Sequence, residues 1–184
     1  MSKVQFLSRF QLRNFFSRMF VATTIALTAW ASASHAAIPQ KPSDWLIKDL
    51  KGDGFLTGGR AGSGFSLLAL DLIPRTKSEL IKVQLGDRNG MAMKTPPGYH
   101  HVQYSKKGMW VQIDFSQMAR SLVESKMVKE KFKASKFVRQ ADLTLDPEDG
   151  SYNLRLLLKR PVHVRTAIAK GKPNGELYIE ILPE

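Results

Sequence analysis

The sequence predicts a mainly β protein: a two-sheet antiparallel sandwich with an internal pseudo-repeat and one helix between its halves. Three observations point there. After residue 64, eight segments of strand length either alternate apolar and polar residues or run apolar throughout. Turn-forming residues separate most of them. The order of these segments repeats once along the chain.

The first segment, residues 65–73, is apolar on both faces, as a strand covered on each side would be. Pro74 to Ser78 turns the chain. Residues 79–85 then place Ile81, Val83 and Leu85 on one face and Lys82 and Gln84 on the other. Residues 86–90 are dense in turn formers, and Pro96-Pro97-Gly98 makes a bend. A strand follows over 99–104. Lys106-Lys107-Gly108 forms a hairpin, and 109–115 returns with Met109, Val111, Ile113 and Phe115 inward.

Residues 116–137 change period. Ser116 suits an N-cap, and Ala119, Leu122, Val123, Met127 and Phe132 fall near helical spacing. Five lysines between 126 and 136 make a solvated face or, alternatively, a membrane-surface contact. Strands resume at 138–145, 152–159, 162–169 and 176–182, joined by the 146–150 turn, Pro161 and the Lys172-Pro173-Asn174-Gly175 hairpin.

The segments at 65–73, 79–85, 99–105 and 109–115 correspond in order to those at 138–145, 152–159, 162–169 and 176–182. The expected product is two related four-stranded sheets packed face to face around one core.

The N-terminus reads as an export signal, residues 1–36. Lys3, Arg9, Arg13 and Arg18 precede any acid, residues 19–30 are mostly apolar, and Ser34-His35-Ala36 offers a small-x-small exit. Cleavage is expected after Ala36 and the location is expected to be periplasmic, with membrane contact only during export. A retained anchor and an organelle transit peptide are the alternatives. Residues 37–64 read as a lead-in segment and glycine-rich loop: Pro39 and Pro42 stiffen it, Ser43 suits a cap for a short turn through Trp45, Leu46 and Ile47, and six glycines crowd 52–64. That loop lacks the Gly-Lys-Ser/Thr ending of a nucleotide phosphate cradle.

What remains after Ala36, 148 residues, suits a single domain, residues 65–184 forming its sandwich. There is no cysteine, so thiol catalysis, disulfides and thiolate metal sites are excluded. The leader holds four of the 28 Lys/Arg and none of the 16 Asp/Glu, leaving 24 against 16, a net +8. Anionic partners are favoured: lipid headgroups, acidic polysaccharide or peptidoglycan carboxylates. Export argues against nucleic acid.

Trp110, Tyr99, Tyr178, Arg155 and Arg165 fall on or next to the outward phase of their strands and form the expected ligand-binding set. Flat rings stack on sugars and guanidinium pairs with carboxylate. The competing expectation is that Trp110 and Tyr178 pack beneath the helix. No catalytic, cofactor or metal residues are expected. His100 and His101 point to opposite strand faces, no nucleophile elbow is present, and Glu148-Asp149 lies in a turn.

One stretch resembles a known family. Arg139-Gln-Ala-Asp-Leu-Thr-Leu-Asp146, the Pro147-Glu-Asp-Gly150 turn, Tyr152-Asn-Leu-Arg-Leu-Leu-Leu-Lys159, the Pro161-Val162 step and Gly175-Glu-Leu-Tyr-Ile-Glu-Ile181 are similar to the AMIN domain. That module accompanies bacterial N-acetylmuramoyl-alanine amidases and secretin pores. The resemblance is good over the last quarter of the chain and loose upstream. It implies a pair of small symmetric sheets, an envelope location and contact with peptidoglycan, and it puts Arg155 and Arg165 at basic strand positions. No amidase or secretin segment adjoins the pattern here. Two functions follow as expectations: a non-catalytic envelope module for peptidoglycan or another anionic glycan, or an interaction subunit docking on envelope secretion or pilus machinery through strand edges.

Overall fold

The computed structural model describes residues 45–169 and 174–184; the expected signal peptide lies outside them. Eleven strands and one helix run in the order β1 (Trp45–Leu50), β2 (Gly54–Gly58), β3 (Phe65–Pro74), β4 (Glu79–Gly86), β5 (His100–Ser105), β6 (Trp110–Phe115), β7 (Met118–Ser121), α1 (Ser125–Phe132), β8 (Val138–Asp146), β9 (Ser151–Leu158), β10 (Val162–Ala169) and β11 (Glu176–Pro183). The first sheet has the order β1-β10-β11-β4-β3-β7 and the second β2-β5-β6-β9-β8. The expected two-sheet β architecture is present.

The internal repeat is real, but it does not assign one half to each sheet. Each half places two strands in each: β3-β4 and β10-β11 build the first, β5-β6 and β8-β9 the second. Exchange β1 with β2, β3 with β8, β4 with β9, β5 with β10 and β6 with β11, and one five-strand order becomes the other. The register obeys the same exchange. Leu67 faces Leu85 and Ala69 faces Gln84, skipping Leu68. Val138 faces Leu158 and Gln140 faces Leu157, skipping Arg139. The two β-bulges therefore occupy one equivalent position.

Three expectations need correction. Residues 45–58 are not a lead-in turn and loop. Trp45–Leu50 pairs antiparallel with β10, and Gly54–Gly58 pairs with β5. Strand edges left by the pseudo-symmetric core capture these segments, overriding the weak local preference of glycine. Gly58 is required there: a Cβ would stand 2.7 Å from the His100 Nε2.

Nor does the helix begin at Ser116. Gln117 has φ 53, and residues 118–121 form β7, which runs parallel to β3. Leu122 N–H then donates to the Leu67 carbonyl at 2.8 Å. Pairing keeps this stretch extended, so the helix is confined to Ser125–Phe132 with Glu124 at its N-cap. The parallel β7 also makes the first sheet mixed rather than purely antiparallel.

Phe65, Leu67, Leu70, Ile81, Val83, Leu85, Leu177, Ile179 and Ile181 of the first sheet meet Val102, Tyr104, Val111, Ile113, Phe115, Leu154 and Leu156 of the second in one core. Helix α1 packs against β8 and β3 and inserts Val128 and Phe132. Burying each contributes about 1.5–3 kcal/mol. From the same helix, Lys131 reaches Asp71 of β3 at 2.5 Å and Lys129 reaches Asp142 of β8 at 3.0 Å.

Candidate functional site

The two outer faces share a plan but not a character. On the first sheet, charge is consumed internally. Arg165 Nε donates to Asp49 at 2.7 Å and its Nη1 lies 3.4 Å from Glu180. Glu180, nearly buried, also meets Arg75 at 3.2 Å and accepts from the Ser78 hydroxyl at 2.7 Å. Lys82 pairs with Glu176 at 2.6 Å. Tyr178 is buried, packs edge-on against Trp45 at 5.3 Å, and donates to Glu176. Burial and then the Glu176 carboxylate push the Tyr178 hydroxyl well above its ordinary range. The Asp49 hydrogen bond raises Arg165 above its own. Burial opposes ionisation of Glu176, yet hydrogen bonds from Lys82 and Tyr178 hold it below the usual carboxylate value.

On the second sheet the outer face is open. Alternation in β5, β6 and β9 turns His101 and Gln103, Trp110, Gln112 and Asp114, and Asn153 and Arg155 outward while their neighbours enter the core. The register aligns Gln103, Gln112, Arg155 and Asp142 in one row across the strands. Phe55, 64% exposed on β2, stacks on His101 with centroids 5.2 Å apart. The exposed Arg155 guanidinium lies 5.5 Å from the Trp110 ring.

Arg155 forms no ion pair among the described residues, although Asp142 sits directly across from it. The reason is the helix. Lys129 and the Gln140 amide, at 3.0 and 2.7 Å, both hold the Asp142 carboxylate. Lys129 first and Gln140 second lower the proton affinity of that carboxylate. With its cross-strand acid occupied, the guanidinium rests on an aromatic ring. Farther along the face, His101, Gln112, Asp114, Asp146, Asp149 and Asn153 line a shallow recess of about 380 Å³. The Ser151 hydrogen bonds keep Asp149 below the usual carboxylate range.

The five expected ligand residues are thus divided. Trp110 and Arg155 meet on the open face. Tyr99, 39% exposed, directly precedes β5 in the same outward phase. Arg165 and Tyr178 lie on the opposite sheet, already engaged. The competing expectation for Tyr178, packing inward, holds in part: its cover is Trp45 rather than the helix. Phe55 carries no strand signal in the sequence, because the glycines around it spell a loop. His101, Gln103, Gln112 and Asn153 join the expected set, since the alternation that selects Trp110 selects them equally.

Fold and faces together define a small pseudo-symmetric β-sandwich with one self-neutralised surface and one open polar-aromatic surface. No protein-family profile matches the chain, and no curated protein matches it.

Proposed function

We propose that this chain is an exported, non-catalytic binding module of the cell envelope that takes peptidoglycan or another anionic glycan on the outer face of its second sheet. The reading is supported above all by the Trp110–Arg155 pair, an aromatic ring with a guanidinium that forms no ion pair among the described residues lying over it at 5.5 Å, on the open face. A ring offers a stacking platform for a sugar, and the guanidinium a two-pronged donor for a carboxylate. Gln103, Gln112 and Asn153 surround them with amides that donate to and accept from hydroxyl and acetamido groups. The residues that resemble the AMIN pattern include Arg155, and the leader supplies the export step.

Sedimentation of the purified chain with purified sacculi tests the proposal. The wild type is expected to pellet with cell wall, and Trp110→Ala and Arg155→Ala each to weaken it by about five- to thirtyfold, the equivalent of ~1–2 kcal/mol. Wild-type protein that stays in the supernatant at low salt would end this reading.

A second reading, docking on envelope secretion or pilus machinery, draws on the edge strands. β1 and β2 each pair on one side only among the described residues, and Leu46, Ile47 and Phe55 are exposed on them. A chain that ignores sacculi but is retained by an assembled envelope complex would favour it.

A further inference from the structure

The glycine-rich loop belongs neither to the core nor to the open face. It ends instead at a separate recess. Residues 59–64 are held at both ends: Arg60 N–H donates to the Pro97 carbonyl, in the bend that precedes β5, at 2.8 Å, and Gly64 N–H to the Gln117 carbonyl, between β6 and β7, at 2.8 Å. Gly59, at φ 88, cannot be replaced without strain, since a Cβ there would overlap the Gly98 carbonyl. The loop is therefore held, and it presents Arg60 at the rim.

The opposite wall is the turn after β4. Asp87 accepts from the N–H groups of Asn89 and Met91, both at 2.9 Å, and its carbonyl accepts from the Ser66 hydroxyl at 2.7 Å. One oxygen of its carboxylate, Oδ1, thereby shapes the turn that carries Arg88. Gly64 lies against the stem of Arg88 at 3.5 Å. Together these walls border an open recess of about 290 Å³, lined by Arg60, Ser63, Asp87, Arg88, Lys94 and Thr95 among others. Neither arginine nor Lys94 forms an ion pair among the described residues, and Arg120, bound to the Asn89 carbonyl, adds a fourth cation at the same turn.

We propose that this recess is an oxyanion site for the phosphate of a phosphorylated sugar, separate from the glycan face. Three cations against one carboxylate in the lining favour a doubly charged anion over a neutral group. Two guanidinium groups suit the several acceptor oxygens of phosphate, and the Ser63 and Thr95 hydroxyls suit a sugar ring. The volume lies at the small end of ligand pockets, roughly 300–1,000 Å³, with room for a phosphate and one ring but not for a polymer.

The test is a chemical-shift titration of the full chain with glucose 1-phosphate, inorganic phosphate and glucose. Glucose 1-phosphate should perturb residues 60–64 and 87–95 and bind at least fivefold tighter than inorganic phosphate; glucose should not bind. Arg60→Ala/Arg88→Ala should lose at least tenfold in affinity while keeping the wild-type circular dichroism, and Arg155→Ala should leave affinity unchanged. Equal affinity for inorganic phosphate would remove the sugar from the assignment. Perturbations spread over the α1 lysines, or an unaffected double variant, would remove the site. Neither result bears on sacculus binding, which reads the opposite set of variants.

Discussion

Asp71 and Asp142 occupy one equivalent position in the two sheets, and each is held by a lysine of the same helix, Lys131 and Lys129. Each aspartate faces a cation across the strand pair, Lys82 in one sheet and Arg155 in the other. Each cation then turns to the same diagonal neighbour position, Glu176 or Trp110. One plan thus yields an ion pair on the first face and a guanidinium resting on a ring on the second. The faces diverged by residue choice at matching sites, not by architecture.

Removing Lys129 should therefore impair the glycan face from a distance. Lys129→Ala releases Asp142 to pair with Arg155, and binding to sacculi is expected to drop about two- to fivefold, the worth of an exposed ion pair. Lys131→Ala, which frees only Asp71, should bind as the wild type does. Equal losses in the two variants would show that the helix lysines act through general charge alone.

Glu180 should matter for stability and not for binding. Its carboxylate gathers Arg75, Arg165 and the Ser78 hydroxyl in a nearly closed site. Glu180→Ala leaves those groups without their shared acceptor and is expected to cost about 1–3 kcal/mol in urea denaturation. Sacculus affinity should stay within error of wild type. A large loss of affinity in this variant would move the glycan site to the first sheet and restore Arg165 to it.

Glu79 ties the segment after α1 to the sheet. It is 1% exposed and accepts from the Ser135 hydroxyl at 2.5 Å and the Lys136 N–H at 2.6 Å. Ser135 in turn accepts from the Val138 N–H at 2.8 Å. Glu79→Ala should lower stability by about 2–4 kcal/mol, because buried donors lose their partner, and Glu79→Gln by less. Thermal melts that rank glutamine below alanine would contradict this account.

Stability should also fall in acid through His100. Burial holds its imidazole down at about 4; the Gly98 carbonyl opposes that, and the Lys48 charge reinforces it. An unfolded chain takes up this proton near 6.5. Between those two values the unfolded state binds more protons, so stability rises with pH across that window. Acidification from 6.5 to 4 should withdraw about 2–4 kcal/mol through this one residue. Urea denaturation of wild type and His100→Gln at both pH values isolates the contribution as the difference between their slopes. Parallel profiles would mean that His100 is not kept neutral by its surroundings.

Much of the fold was legible because it rests on period. Residues 79–85 and 109–115 carry alternation that only a half-buried strand satisfies, and the correspondence of the two halves is visible in their turns. Trp110 and Arg155 were legible for the same reason, as outward-phase residues of flanking strands. Phe55 was not: glycines surround it, and its strand exists because β5 has a vacant edge to pair with. Residues 118–121 likewise satisfy a helical spacing, yet pairing with β3 decides their conformation.

Alternation by itself determined which side chains enter the core, since successive residues of a strand must point to opposite faces. It left open which face each outward residue would share, because that depends on which strands become neighbours, and strands far apart in the chain are joined by hydrogen bonds that carry no sequence label. Only the tertiary structure placed Arg155 and Arg165 on opposite sides of the sandwich, one losing its cross-strand aspartate to a helix lysine and the other locked between Asp49 and Glu180.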